Sequence, residues 1–98
     1  MAEVNVIDWQ VNPFRAERWY AAWMPAFERA KAFGALEATI TRSEDDPLLF
    51  RQTTVWEKRE DFERFWASDE ASKARADAID YYNKPLLPSW HVVCATGD

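Results

Sequence analysis

The chain has 98 residues, of which 48% are hydrophobic and 15% aromatic, and it contains six tryptophans. This length and composition predict one compact domain over residues 1–98 with an ample apolar core. The formal net charge of -5 argues against nucleic acid and anionic membranes as partners. Affinity for such polyanions depends on lysine and arginine side chains that neutralise phosphates.

The sequence also carries signals about cellular location. Its N-terminal residues include acidic side chains and no basic segment followed by an apolar run, so we expect no signal peptide. No stretch approaches the ~20 apolar residues that a membrane-spanning helix needs. The single cysteine, Cys94, lies in an apolar run and is predicted to be a small buried residue in a reducing compartment. We therefore expect a cytoplasmic protein.

The first predicted elements are a strand and a long helix. Residues 3–11 alternate as a strand, with one face apolar at Val4 and Val6 and the other formed by Asn5, Ile7, Trp9 and Val11. Residues 14–33 have apolar side chains at three- and four-residue steps, the spacing of an amphipathic helix. Pro25 predicts a kink in that helix rather than a break, and Gly34 is a suitable C-terminal cap.

A hairpin follows the first helix. Residues 35–42 alternate as a half-buried strand, and residues 43–47 have the composition of a turn. Residues 48–57 form the next strand, with Phe50 and Trp56 on one face and Leu49 and Val55 on the other. Because the connection is short, the two strands are predicted to pair antiparallel.

The C-terminal half predicts two helices and a last strand. Residues 59–67 form a short helix whose apolar patch is Phe62, Phe65 and Trp66, and Ser68 can cap the next helix, over residues 69–81. The inner positions of that helix are Ala71, Ala74, Ala78, Ile79 and Tyr82, and the small alanines predict a close approach to the sheet. Residues 90–95 form the last strand, apolar on both faces.

The element order βαββαβ predicts an α+β fold of the ferredoxin-like plan, with a four-stranded antiparallel sheet. Two helical segments can cover only one face of that sheet. Since three of the strands carry apolar residues on both faces, the other face needs a partner, and a second copy related by two-fold symmetry is the simplest. We therefore predict a homodimer.

The run VWEKREDFERFWASDE resembles the antibiotic biosynthesis monooxygenase family, and the residues that carry the likeness are Trp56, Glu57, Asp61, Phe62 and Ser68. The spacing of Pro85 and Pro88 before the last strand is similar as well. The resemblance implies a dimeric α/β barrel with one small-molecule cavity per subunit, between sheet and helices. Members of the family oxidise aromatic polyketides without metal or flavin, or degrade haem.

The haem-degrading members offer a test by residue. They use an asparagine on the first strand and a tryptophan on the second helical segment, which Asn5 and Trp66 match, and then a haem-ligating histidine nine or ten residues later. Arg75 stands at that place, and a guanidinium cannot ligate iron. The one histidine, His91, lies on the last strand and is the remaining candidate ligand. We therefore predict no cofactor, with haem as the open alternative.

The predicted catalytic residues are Asn5, Trp66 and His91, and each has a structural alternative. Asn5 can orient a phenol or carbonyl oxygen, or it can bond to backbone or water at a strand end. Trp66 and its neighbour Phe65 point about 100° apart on a helix, so one of them faces a cavity or groove. His91 alternates with Trp90, so that one faces the helices and the other the partner sheet. His91 can act as a general base, or it can be a packing or surface residue without a catalytic role.

The predicted substrate contacts are mostly aromatic. They are Trp9, Trp23, Phe27, Phe50, Phe65, Arg75 and Tyr81. Trp23 and Phe27 also fit a purely structural role at helical spacing. Arg75 either pairs with Asp69, Asp77 or Asp80 or binds an acidic substrate group.

Two functions are consistent with these residues. The first is a small monooxygenase that acts on a flat aromatic, phenol-like or polyketide-like molecule in an apolar pocket. The second is a binding or sensing protein of the same fold, for a small ligand or haem, without turnover. No phosphate-binding loop, zinc cluster or serine nucleophile is recognisable, and we predict no metal site.

Overall fold

The computed structural model describes residues 2–97 and contains one sheet covered by one layer of helices. Its strands are β1 (Glu3–Gln10), β2 (Glu37–Arg42), β3 (Leu49–Trp56) and β4 (Ser89–Val92). Its α-helices are α1 (Ala16–Phe27), α2 (Arg59–Trp66) and α3 (Asp69–Ala78), with 3-10 helices at Ala30–Phe33 and Ile79–Tyr81. No helix in this part of the chain is long and apolar enough to cross a membrane.

The sheet has the strand order β2-β3-β1-β4, and every neighbouring pair is antiparallel. This arrangement confirms the predicted ferredoxin-like α+β fold. In the register, Asn5 lies opposite Thr54 on one side and Trp90 on the other, while Val4 lies opposite Val55 and His91. Because side chains alternate along a strand, the first group faces the helices and the second faces outward.

The first helical segment differs from the prediction of one kinked helix over residues 14–33. The α-helix ends at Phe27, two residues after Pro25, and the chain continues as a separate 3-10 helix. Pro25 itself is accommodated within the helix, and the bonding changes only after it: the Glu28 N–H still bonds to the Met24 carbonyl at 3.0 Å, whereas the Arg29 N–H bonds to the Ala26 carbonyl at 2.9 Å, the 3-10 pattern. Gly34 ends the 3-10 helix with φ 118°, and a Cβ there would lie 3.1 Å from Asp61 Oδ2, so the predicted glycine cap is confirmed.

The helix α3 packs against α1 rather than against the sheet. Its alanines Ala71, Ala74 and Ala78 are buried, and their small side chains allow α3 to approach α1 closely. The sequence predicted such a close approach, but to the sheet instead of to another helix. Ile79, predicted to face inward, is 41% exposed, because the α-helix gives way there to the 3-10 helix and the facing direction changes.

The last strand is shorter than residues 90–95 and ends at Val92. Val92 pairs with Glu3, the first residue of β1, so the chain beyond it has no neighbouring strand. Consequently Val93 is 55% exposed, and Cys94 is exposed rather than buried as predicted. The expectation that β4 carries apolar residues on both faces is also wrong, since Ser89 and His91 occupy its outer face.

The outward face of the sheet is mixed rather than wholly apolar. Val4, Val6, Leu49 and Val55 lie half-buried along β1 and β3. Asp8 and Arg51 form an exposed ion pair among them, with Arg51 Nε 2.8 Å from Asp8 Oδ1. A shallow recess of about 370 Å³ is bounded by Val6, Asp8, Arg51 and His91, among others.

The cap of α3 gives a first testable prediction. Ser68 Oγ accepts a hydrogen bond from the Ala71 N–H at 3.2 Å, as predicted for a capping serine. We expect Ser68→Ala to lower the free energy of unfolding by about 1 kcal/mol, measured by urea denaturation. Ser72→Ala is the control, because Ser72 is exposed within the helix, and it should change stability by less than about 0.5 kcal/mol. Equal losses in both variants would contradict the capping role.

Candidate functional site

Three polar residues are fully buried between the sheet and the helices of the described chain: Asn5, Gln52 and Thr54. All three lie on the two central strands. Asn5 is opposite Thr54, and Gln52 is opposite Ile7, so they share the face that the helices cover. Buried polar groups whose hydrogen bonds are incomplete are candidates for binding a ligand.

Their hydrogen bonds are indeed incomplete. Thr54 Oγ1 accepts from the Trp56 indole at 2.8 Å, and Gln52 Oε1 accepts from the Trp23 indole at 2.7 Å. Gln52 Nε2 and both amide atoms of Asn5 have no hydrogen-bond partner in residues 2–97. Leaving a buried donor or acceptor unpaired costs about 1–3 kcal/mol each. These three atoms therefore have unused capacity to bind a polar group.

An aromatic cluster surrounds this face. The Trp9 ring lies 5.3 Å from Trp19, 4.8 Å from Trp23 and 6.4 Å from Trp66, centroid to centroid. Trp9, Trp19 and Trp23 are fully buried. The predicted substrate contacts Trp9 and Trp23 are thus central to the packed core. The indole N–H groups of Trp9 and Trp19 also lack a partner among the described residues.

The cluster reaches the surface at Trp66 and Trp90, which are both half-buried. Phe62 connects them, because its ring stacks on Trp66 at 5.7 Å and meets Trp90 edge-on at 5.4 Å. Since Trp90 lies opposite Asn5 in the register, the three rings lie at the Asn5 end of β1. We call Phe62, Trp66 and Trp90 the aromatic gate. Of the pair Phe65 and Trp66, Phe65 is the buried one.

Arg75 lies against the gate. Its guanidinium carbon is 4.3 Å from the centre of the Trp66 ring, and its Nη1 donates to the Trp66 carbonyl at 2.7 Å. Stacking on Trp66 thus takes the place of the predicted pairing with Asp69, Asp77 or Asp80. Burial lowers the pKa of Arg75, and Tyr82 opposes that shift. Burial likewise raises the pKa of the Tyr82 phenol, opposed by the charge of Arg75.

The structure does not bring His91 together with Asn5 and Trp66. His91 lies on the outward face of the sheet and is exposed, with Nε2 2.9 Å from Ser89 Oγ. Asn5 is on the helix-covered face, so the sheet itself separates the two side chains. The three predicted catalytic residues, Asn5, Trp66 and His91, are therefore divided between the two faces of the sheet.

The remaining predicted contacts are dispersed. Phe50 lines a recess of about 370 Å³ on the far side of the core, between α1 and β2, with Tyr20, Ile40 and Arg42 among its other walls. Phe27 and Tyr81 are half-buried at the margins of the core. Neither the strand register nor a contact between aromatic rings brings Phe50, Phe27 or Tyr81 next to Asn5.

Gln52 was not predicted as a site residue. A signal for it existed, because Phe50 and Trp56 were assigned to one face of β3, and the period of two then places Gln52 and Thr54 on that same face. Polar residues between two inward-facing aromatics are expected to be buried and to need hydrogen-bond partners, which makes them candidates for a site.

The residues present do not fit haem ligation of the kind that the resemblance implies. Arg75 occupies the place of the helical histidine, and its guanidinium stacks on Trp66. The single histidine is on the other side of the sheet from the Asn5 amide. No group of three or more histidine, cysteine or acidic side chains in residues 2–97 is arranged to hold a metal ion.

Solved structures share this fold along nearly the whole chain. A protein of Nitrosomonas europaea, provisionally named an antibiotic biosynthesis monooxygenase, has a TM-score of 0.85 and 18% identity, over 95% of this chain and 99% of that one. Rv0793 of Mycobacterium tuberculosis has a TM-score of 0.83 and 11% identity, over 100% of both chains. A conserved protein of Methanosarcina mazei Go1 has a TM-score of 0.83 and 13% identity, over 93% and 91%.

These similarities identify the chain as a ferredoxin-like α+β protein with the fold of structures named antibiotic biosynthesis monooxygenases. The ferredoxin-like subunit fold that the resemblance of the Trp56 to Ser68 region implied is thereby confirmed, whereas the second copy and the cavity that it also implied stay predictions. No family model matches the chain, and no curated protein matches it significantly. A shared fold at such low identity does not define a reaction.

Proposed function

We propose that the protein binds a flat aromatic molecule of the phenol or polyketide kind beside Asn5 and oxidises it with molecular oxygen. The observation that supports this proposal most is Asn5 itself, which is fully buried with both amide atoms unpaired in the described chain. An amide has a donor and an acceptor, which suit the oxygen atoms of a phenol or an aryl ketone.

The aromatic gate is the proposed entrance. Trp66 and Trp90 are half-buried, whereas Trp9, Trp19 and Trp23 fill the middle of the core. A flat ligand therefore reaches Asn5 by displacing the Trp66 ring from its stack on Phe62, rather than by entering an open hollow. Arg75, on the outer side of Trp66, moves with that ring. Such small side-chain rearrangements on binding are common.

Anthrone illustrates the chemistry. Loss of one proton from its CH2 group gives an enolate, whose electrons reduce oxygen: the CH2 becomes a carbonyl, one oxygen atom enters the product anthraquinone, and the other leaves in water. The four electrons that oxygen needs come from the substrate, so no external reductant is required. The protein contributes position, exclusion of water and hydrogen bonds to the enolate oxygen.

Asn5 Nδ2 is the donor that we assign to that oxygen. A donor held in a dry site stabilises the enolate over the ketone and lowers the pKa of the substrate. The fully buried polar side chains of the described chain are amides and a hydroxyl, with no carboxylate or imidazole among them. The proton therefore passes to solvent at the gate.

That same composition favours a second candidate, a binding protein without turnover. A site with no general base can hold an aromatic ligand through Asn5 and the gate without converting it. The two candidates share the ligand class and the site, and they differ only in oxygen consumption.

We also propose that the protein is a homodimer through the outward face of the sheet. The half-buried valines and Leu49 on β1 and β3 form its apolar part. Pairing two such faces about a two-fold axis covers them in both copies. The Asp8 and Arg51 pair would then lie within the interface.

The monooxygenase proposal is tested by oxygen uptake with anthrone and 1,8-dihydroxyanthrone. We expect uptake above the buffer rate, and we expect Asn5→Leu to reduce it at least about tenfold, because it removes a donor to the developing charge. Asn83→Leu is the control, since Asn83 is an exposed asparagine. It should retain the rate.

Tryptophan fluorescence on addition of the same compounds separates the outcomes. Binding with no oxygen uptake above the buffer rate would contradict the monooxygenase and support the binding protein. Absence of both binding and oxygen uptake with these two compounds would contradict both candidate functions.

A further inference from the structure

The amide of Gln52 has a fixed orientation. Its Oε1 accepts the Trp23 indole N–H at 2.7 Å, and an indole nitrogen can only donate. The amide therefore cannot turn over without losing that bond. Its Nε2 is held on the opposite side of the amide group, where it has no partner in residues 2–97. Of the two ends of the Gln52 amide, the NH2 group is therefore the one without a partner among the described residues.

Gln52 and Asn5 are close neighbours on the covered face. Gln52 lies opposite Ile7, two residues along β1 from Asn5, so the two positions are diagonal neighbours on adjacent antiparallel strands. Such diagonal positions lie about 7–8 Å apart, within reach of one ring system. Both side chains are fully buried.

We propose that Gln52 is a specificity-determining residue that donates a hydrogen bond from Nε2 to a carbonyl or phenolate oxygen of the aromatic ligand. This inference rests on the proposed binding of an aromatic molecule beside Asn5, and it adds a second donor to the ligand oxygen that Asn5 Nδ2 contacts. Trp23 is the positioning residue, because its indole determines which side of the amide faces the ligand.

The expected selectivity follows from the unpaired donor. A ligand with an acceptor oxygen completes the hydrogen bonding of Gln52, whereas a hydrocarbon of the same shape leaves the amide buried and unpaired. Sites built to hydrogen-bond one substrate group reject analogues that lack it. We expect anthrone, which has a ketone, to bind at least about tenfold tighter than 9,10-dihydroanthracene, which has none.

The chain allows a direct observation of this bond, because it has only two glutamines, Gln10 and Gln52. Protein labelled with ¹⁵N at glutamine side chains should show two NH2 groups in a proton–nitrogen NMR spectrum. We expect anthrone to shift the NH2 signals of Gln52 and to leave those of Gln10, outside the aromatic core, unchanged. Dihydroanthracene should not produce the shift.

Two phenylalanine variants form a matched pair. Trp23→Phe and Trp56→Phe each delete a buried indole that donates to a side chain of β3, Gln52 in one case and Thr54 in the other. Only the first releases the Gln52 amide. We expect the preference for anthrone to fall below about threefold in Trp23→Phe and to stay at the wild-type value in Trp56→Phe. Gln52→Met, which has no donor, should show the same fall, because Asn5 remains as a donor to the ligand oxygen.

The outcomes separate this inference from the proposal on which it rests. Anthrone binding that leaves the Gln52 signals unmoved, or a preference for anthrone that is as large in Trp23→Phe and Gln52→Met as in the wild-type protein, overturns the role of Gln52 and leaves the Asn5 site standing. Absence of binding for both compounds overturns the proposed function and this inference together. If Gln52→Met does not fold, the labelled wild-type protein and the two phenylalanine variants still test whether Gln52 donates to the ligand.

Discussion

Replacing Trp9 by alanine is expected to lower the free energy of unfolding by about 3–5 kcal/mol, the usual loss for a large aromatic removed from a core. The Trp9 ring is fully buried and contacts Trp19 and Trp23, and Tyr82 meets it edge-on at 5.0 Å. Its removal therefore leaves a cavity walled by aromatic rings that are too rigid to fill it. Since domains are stable by about 5–15 kcal/mol, this loss is a large fraction of the whole free energy of unfolding.

Guanidinium denaturation at one fixed protein concentration measures this loss. Phe14→Ala is the control, because it also removes an aromatic ring, and that ring is 94% exposed. We expect it to change stability by less than about 0.5 kcal/mol. A loss below about 1 kcal/mol for Trp9→Ala would contradict the close packing of the tryptophan cluster.

Placing a charge on the outward face of the sheet should separate the proposed dimer. Val6 lies on this face in the centre of β1, opposite Thr53. In a two-fold dimer, Val6→Asp introduces two carboxylates into the interface, and removing each from water costs several kcal/mol. We expect the dissociation constant to rise at least about 100-fold, which corresponds to about 2.7 kcal/mol.

Sedimentation velocity across a range of micromolar concentrations is the measurement. The wild-type protein should sediment as a dimer and Val6→Asp as a monomer. Ala76→Asp adds the same charge at an exposed position of α3 and should remain dimeric. A wild-type protein that is monomeric throughout this range would exclude the proposed dimer, and a dimer that persists in Val6→Asp would place the interface elsewhere.

Much of the fold was predictable because two periodicities are clear in this sequence. The alternation along residues 3–11 correctly assigned Asn5 and Trp9 to one face and Val6 to the other. The helical spacing of Trp19 and Trp23 correctly indicated an inward stripe. The incorrect predictions concern features that depend on contacts between residues distant in sequence. The length of β4 depends on where β1 begins, and the fate of Cys94 depends in turn on the length of β4.

The candidate site was less predictable than the fold. Whether Trp90 or His91 faces the helices depends on the pairing of Trp90 with Asn5. The register between two strands that are distant in sequence cannot be predicted from the sequence of either strand alone. Gln52 is a comparable case, because its importance comes from the Trp23 indole, 29 residues away along the chain. A local pattern can place both residues inward, but only the packed structure shows that they meet.

The contacts among Trp9, Trp19 and Trp23 also bear on how such a core can change over evolutionary time. Each ring supports its neighbours at centroid distances of 5.3 Å or less from Trp9. Residues in mutual contact do not contribute independently, so shrinking one ring alters the effect of shrinking the next. Divergent descendants are therefore expected to exchange these tryptophans in concert, preserving total volume while individual identities drift.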